Sequence, residues 1–290
     1  MIASFATQAH AAAACAEPEV LWSEVTDGRE PARVKRPTRS GVLWQSNEDE
    51  FALRLPGVAR CSVNSGGPIR IARECAVGDV DLRLIVQGLP LAAYWTQRRF
   101  IALHAAAIQA SRGAVVLAGN SCAGKSTLAA AMALRGFPIL ADEVVPLSVL
   151  PSGALRAHPG MHDVLLPQTA VAELGIEAAG LQEARTGLNR YYVAGLPRAD
   201  AVLDVAAIYV IETHNRRELE AQVLSGQEKI LLTLQHGFNR KLPERQAVRE
   251  HYFPWLGAAF AGIRVVRVRR PERLWSGDAL LERIEKDCRT

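Results

Sequence analysis

Nine residues constrain this chain more than any others: Gly119-Asn120-Ser121-Cys122-Ala123-Gly124-Lys125-Ser126-Thr127, which follow an apolar run, Ala114 to Ala118, and open an alanine-rich stretch. The spacing G-x-x-x-x-G-K-S/T at a strand-to-helix junction suits one task. Its glycines let the backbone wrap a polyphosphate and turn N–H groups inward, and Lys125 adds a mobile positive charge for the outer phosphates. The Ser126 hydroxyl would sit on a Mg²⁺ bridging those phosphates, and the helix N-terminus adds partial positive charge. Such a pattern arises by chance in about one chain per hundred of this length. The bland alternative, a glycine-rich turn feeding a surface helix, is disfavoured by the strand before and the helix after. Residues 119–127 are therefore expected to cradle a nucleoside triphosphate.

At 290 residues the chain has room for a core domain and a smaller one. A net charge of +4 is too small to argue for nucleic acid, and no basic run with interleaved aromatics appears. The densest basic stretch, Arg264 to Arg273, contains Val265, Val266 and Val268 and reads as a solvated strand end. The five cysteines, Cys15, Cys61, Cys75, Cys122 and Cys288, form no C-x-x-C pair and have no histidine at metal-ligand spacing. That usage fits a reducing cytoplasm and argues against structural zinc. Ala11 to Cys15 imitates a lipoprotein cleavage site, but no basic n-region precedes it, and Gln8 and His10 interrupt its apolar core. No run approaches the roughly 20 apolar residues of a membrane span. A cytoplasmic protein without membrane or nucleic-acid partners is expected.

Residues 1–18 read as a loose or weakly helical tail. Residues 19–98 read as a small, largely antiparallel β module, with strands near Val20 to Trp22, Gly41 to Trp44, Phe51 to Leu55, Arg60 to Val63 and Ile69 to Ile71. Turns fall at Asp27-Gly28, Pro56-Gly57 and Gly66-Gly67-Pro68, and Asp81 to Trp95 has the periodicity of one helix. From residue 99 to 290 strands alternate with helices, which indicates an α/β domain with helices packed on a central sheet. Its elements are a hairpin of His104 to Ala110 and Ala114 to Ala118, a helix Thr127 to Arg135 stopped by Gly136, and a strand Pro138 to Ala141. Further on come a strand Val205 to Glu212, a helix Gln227 to His236, a strand Ile263 to Val268 and a helix Asp278 to Lys286. Leu224-Ser225-Gly226-Gln227-Glu228 imitates a transporter ATPase signature with one glycine missing; Ser225 is better read as the N-cap of the helix that follows.

Phosphoryl transfer also needs acid groups. Asp142 and Glu143 end the strand beginning at Pro138, and ligands of open α/β sheets bind at the carboxyl ends of strands. Consecutive strand residues face opposite ways, so a bend after Asp142 is required if both are to act at one place. One carboxylate would hold Mg²⁺ and the other would serve as base.

Leu103-His104-Ala105-Ala106-Ala107, then the glycine-rich loop, then Ala133 to Leu147 (A-L-R-G-F-P-I-L-A-D-E-V-V-P-L) together resemble the catalytic domain of the HPr kinase/phosphorylase superfamily. They are closer still to the HPr kinase-related proteins of ribosomal peptide maturation, including lasso-peptide precursor kinases. Phe51 to Arg60 is similar to the N-terminal module of those relatives. The resemblance implies a P-loop kinase domain that uses ATP and Mg²⁺ and phosphorylates a serine on a peptide or small protein. It implies that Lys125 contacts phosphate, that Ser126 and Glu143 hold the metal, and that Asp142 is the general base. Glu143 stands where the family has a second aspartate. His104, which alone among alanines reads more often as a buried core histidine, would lie near the transferred phosphate.

Two positions depart from the family pattern: Cys122 stands for a glycine and Asn120 for an aspartate. The arginine- and glycine-rich signature of the bifunctional enzymes is not reproduced in Gln182 to Leu196, so neither phosphorylase activity nor a sugar-transport carrier substrate is implied. Two alternatives stay open: a small-molecule kinase, and a nucleotide-gated module whose β region recognises a leader peptide with little turnover.

Overall fold

In a computed structural model of the chain, residues 20–24, 34, 36–37, 39–41, 43–74, 78–150, 152–161, 163–238, 256–272 and 277–289 are described. The expected tail, the Asp27-Gly28 turn, Cys15 and Cys75 lie outside them. The described residues fall into two compact units that divide between Ala102 and Leu103, with Phe238 grouped with the first.

The first unit is a six-stranded sheet. Strands β1 (Val20–Glu24), β2 (Arg39–Ser40), β3 (Trp44–Ser46), β4 (Glu50–Leu55), β5 (Ala59–Asn64) and β6 (Ile69–Arg73) lie in the order β1-β6-β5-β4-β3-β2. All pairs are antiparallel except β1 with β6. The strand expected at Gly41 to Trp44 starts only at Trp44, after Gly41 N–H has bonded back to the Trp44 carbonyl. Alternation decides which face is covered: Phe51, Leu53, Ala59, Cys61, Val63, Ile69 and Ile71 are buried together. Burial pushes the Cys61 thiol up to about 12, which leaves it inert.

The single helix expected over Asp81 to Trp95 is two: α1 (Asp79–Val86) and α2 (Leu89–Gln97), parted at Gly88. Pro90 explains the break. Without an N–H it cannot continue a helical ladder, but it is tolerated in the first turn of a new helix.

The second unit is built on an eight-stranded sheet. Its strands are β7 (Ile101–Ala110), β8 (Gly113–Gly119), β9 (Ile139–Ala141), β10 (Val144–Val149), β11 (Leu155–Ala157), β15 (Leu203–His214), β16 (Glu220–Val223) and β17 (Arg264–Pro271). The order is β11-β10-β7-β8-β15-β17-β16, with β9 on β7 and a further β11–β15 pairing. A small sheet of β12 (Val164–Pro167), β13 (Gln182–Glu183) and β14 (Arg190–Val193) accompanies it. Helices α3 (Lys125–Leu134), α4 (Gln168–Glu173), α5 (Gly226–Leu234) and α6 (Gly277–Arg289) belong to the unit, as does a short helical stretch at 256–261. Ser225 takes the N-cap position of α5 as expected, though its hydroxyl makes no capping bond. Among the described residues no helix is long and apolar enough to cross a membrane.

β8, β15 and β17 run parallel, and β8 is a continuous apolar run because both its faces are covered. Alanine-rich α3 and amphipathic α6 pack with Leu117, Tyr209, Ile211, Val266 and Val268 in one core. Parallel pairing brings Gly119, His214 and Pro271 to the same edge of the sheet. At that edge β8 and β15 touch closely: a Cβ on Gly119 would lie 2.5 Å from the Ile211 carbonyl oxygen. Gly119→Ala must therefore force the strands apart just below the loop. It should cost about 1 to 3 kcal/mol, read as a lower denaturation midpoint; an unchanged midpoint would show that the strands are not so tightly apposed.

Candidate active site

Three strand ends, the start of β7 and the ends of β8 and β9, converge on one edge of the sheet. β7 is antiparallel to β8 with Ala105 opposite Ala118, which sets His104 at the level of Gly119 where the loop begins. β9 is antiparallel to β7 with Ala107 opposite Ala141, so the residues after Ala141 run towards the same place. Topology, not proximity in sequence, gathers His104, Lys125, Ser126, Asp142 and Glu143.

In the loop, Asn120, Ser121 and Cys122 are exposed, whereas Ala123, Lys125 and Thr127 are buried. Cys122 and Gly124 both adopt left-handed backbone, with φ of 65° and 95°. Alternation of this kind turns successive N–H groups into one concavity that suits an anion. Gly124 is the N-cap of α3 and offers no side chain to the first turn, whose N–H groups stay available for a ligand. The Lys125 ammonium donates to the Asn120 carbonyl at 3.0 Å, crossing the loop. Its burial lowers its pKa, against the opposing charges of Glu143 and Asp142.

The bend expected after Asp142 is present, and Glu143 makes it by adopting φ of 66°. A non-glycine residue there is strained and persists only where its surroundings hold it. Asp142 N–H donates to the Met161 carbonyl, Val144 N–H to the Asp142 carbonyl and Ala105 N–H to the Glu143 carbonyl. The two carboxylates therefore look in different directions. Asp142 is 4 % exposed and accepts a 3.0 Å hydrogen bond from the Ser126 hydroxyl. Glu143 is 3.2 Å from His104 Nε2, with its side chain 44 % exposed. The expectation placed Ser126 and Glu143 together on a metal; the direct contact of Ser126 is with Asp142, and that of Glu143 is with His104.

Burial pushes the Asp142 carboxyl up to about 7, and the charge of Glu143 adds to this against Ser126 and Lys125. Burial would raise Glu143 as well, but the hydrogen bond and charge of His104, with Lys125 and Arg190 beyond, hold it below the usual range. Two adjacent carboxyls thus have opposed proton affinities, the arrangement by which sites separate acid-base roles.

One residue at this edge escaped the sequence reading. Arg270, near the end of β17, donates from Nε to the Ala123 carbonyl at 3.0 Å. Within the stretch read as a solvated strand end, Arg267 and Arg269 do pair with Glu212, Glu220 and Glu228. The signal that could have found Arg270 was its place beyond the strand predicted to end at Val268, at the carboxyl edge where ligands bind.

No family model and no curated protein matches the chain. Among solved structures it is similar to the HPr(Ser) kinase/phosphatase from Coxiella burnetii, at 15% identity and a TM-score of 0.30, over 64% of this chain and 91% of that one. A likeness of that degree carries no functional weight.

Proposed function

We propose that this chain is an ATP- and Mg²⁺-dependent phosphotransferase that moves the γ-phosphoryl group to a hydroxyl, that of a serine in a peptide or small protein. The observation that supports it is the meeting of the Lys125-Ser126 helix start with the Asp142-Glu143 bend, made direct by the bond from Ser126 to Asp142. The donor set suits magnesium. It combines the Ser126 hydroxyl with the Glu143 carboxylate, whose charge raises the proton affinity of Asp142, so a cation held by Glu143 would offset that charge. Among the described residues no three His, Cys, Asp or Glu side chains form a closed cage. Mg²⁺ ordinarily takes one or two carboxylates and completes its shell with phosphate oxygens and water.

In this reading Ser126 and Glu143 hold the metal, which when bound supplies positive charge to the phosphate oxygens. Lys125 exchanges the Asn120 carbonyl for phosphate, and the amides of residues 119–126 line the anion. Asp142 takes the proton of the acceptor hydroxyl as its oxygen bonds to phosphorus and the bond to the β-phosphate oxygen breaks; a base titrating near 7 suits that step at neutral pH. His104 orients Glu143.

Incubating candidate acceptor peptides with the protein, ATP and Mg²⁺ should add about 80 Da to a peptide, the mass of one phosphate group, with no gain for Lys125→Ala. A gain confined to a small metabolite would replace the acceptor class. Nucleotide binding with no transfer to either would favour a gated binding module.

A further inference from the structure

Resting on the nucleotide-binding reading of the loop, we propose that Arg270 is the positioning residue of the triphosphate cradle, holding the loop from behind. A loop that turns its amides inward must turn carbonyls outward, and Arg270 Nε bonds one of these, at Ala123. Its Nη1 bonds the Pro271 carbonyl at 3.1 Å, which fixes the guanidinium plane against its own strand. Nη2 has no hydrogen-bond partner among the described residues, and lies 3.3 Å from where a Cβ on Gly124 would stand. A permanent cation is thus set behind the amides of Ala123, Gly124 and Lys125.

The placement explains two features of the loop. The left-handed backbone at Cys122 and Gly124 is costly away from glycine, and a bond from a rigid strand to the residue between them holds that conformation before ligand arrives. Glycine at 124 also leaves room for the guanidinium. β17 is suited to the task because its neighbour β15 pairs directly with β8, from which the loop springs. The charged groups influencing Arg270 are Glu173 on α4 and Glu272 after β17; neither comes between it and the loop in any hydrogen bond of the described residues.

Lysine has one compact ammonium and cannot hold two carbonyls in this planar geometry, so Arg270→Lys should recover only part of the function. The test is equilibrium binding of a fluorescent ATP analogue with Mg²⁺ to the full chain and to Arg270→Gln, Arg270→Lys and Arg270→Ala, with thermal melting of each. Arg270→Gln should weaken binding about 10- to 100-fold, the scale of one charge-assisted hydrogen bond. Arg270→Lys should fall between it and the unaltered chain. Where turnover is measurable, KM for ATP should rise with kcat changed by less than about threefold, the signature of lost uniform binding. Millimolar guanidinium should restore part of the binding of Arg270→Ala, which a purely structural defect would not permit. A folded Arg270→Gln that binds as tightly as the unaltered chain overturns the proposal, as does Arg270→Ala that guanidinium does not help. Absence of binding by the unaltered chain would instead overturn the nucleotide-binding reading, and this proposal with it.

Discussion

Asp142→Asn is expected to abolish transfer while making the protein more stable above neutral pH. On the catalytic side, a general base contributes about 10²- to 10⁴-fold, and asparagine cannot take the proton. On the stability side the sign follows from proton affinity. The carboxyl titrates at about 7 in the folded chain because it is buried beside Glu143, against an ordinary value of 3.8. Below about pH 4 it is protonated in both states and costs nothing. Between pH 4 and 7 the unfolded chain loses its proton while the folded chain keeps it, so stability falls as pH rises; above 7 the loss is complete. The full loss is on the order of 4 kcal/mol at most.

Asparagine avoids this loss. Its carbonyl can accept the Ser126 hydroxyl as the carboxylate does. The stability difference between variant and parent should therefore widen from pH 4 to 7 and then level off, since groups shared by the two chains cancel. Denaturant unfolding without nucleotide or metal across this range measures it. A difference flat in pH would mean that Asp142 is not held protonated. Transfer surviving at near-parental rate in the folded variant would remove Asp142 from the role of base.

Lys125→Met should have the other large effect. Lys125 is 6 % exposed, and its ammonium is stabilised by the Asn120 carbonyl and by the charges of Glu143 and Asp142, so it is poised to exchange that carbonyl for a stronger acceptor. Removing a preorganised positive charge from a phosphoryl-transfer site costs about 10²- to 10³-fold or more in rate. kcat/KM should drop by at least that factor. The same substitution removes a charge that lowers the proton affinity of Asp142. The fall in stability with pH should accordingly extend to higher pH in Lys125→Met, with its onset near pH 4 unmoved, measured as above. Wild-type rates in the variant would place the phosphates elsewhere, and an unmoved pH profile would show that the two charges do not interact.

These effects depend on different kinds of information. The loop was legible because its requirements are local: glycine where the backbone turns left-handed at 124, lysine and serine on the first turn that follows, and an apolar strand before them. The hairpin around Ser111-Arg112-Gly113 and the stop at Gly136 were legible for the same reason. The single helix read over Asp81 to Trp95 failed at Pro90, where an apolar periodicity that survives the break concealed it. The bend at Asp142-Glu143 could be inferred from the chemistry proposed for the pair, but not that Glu143 would itself take the strained backbone, nor which carboxylate would face Ser126.

Asp142 and Arg270 mark the boundary. Sequence alone determined that a glycine-rich turn opens a helix after a buried strand and that an acid pair follows the next strand, because nearest-neighbour sterics and hydrogen bonding dictate both. Only the tertiary structure decided that Asp142 is buried against Ser126 while Glu143 reaches His104, and that an arginine 147 residues beyond Ala123 bonds the loop. Proton affinity and loop support depend on desolvation and on which strands lie side by side, and these are properties of strand order in the sheet that no stretch of neighbouring residues contains.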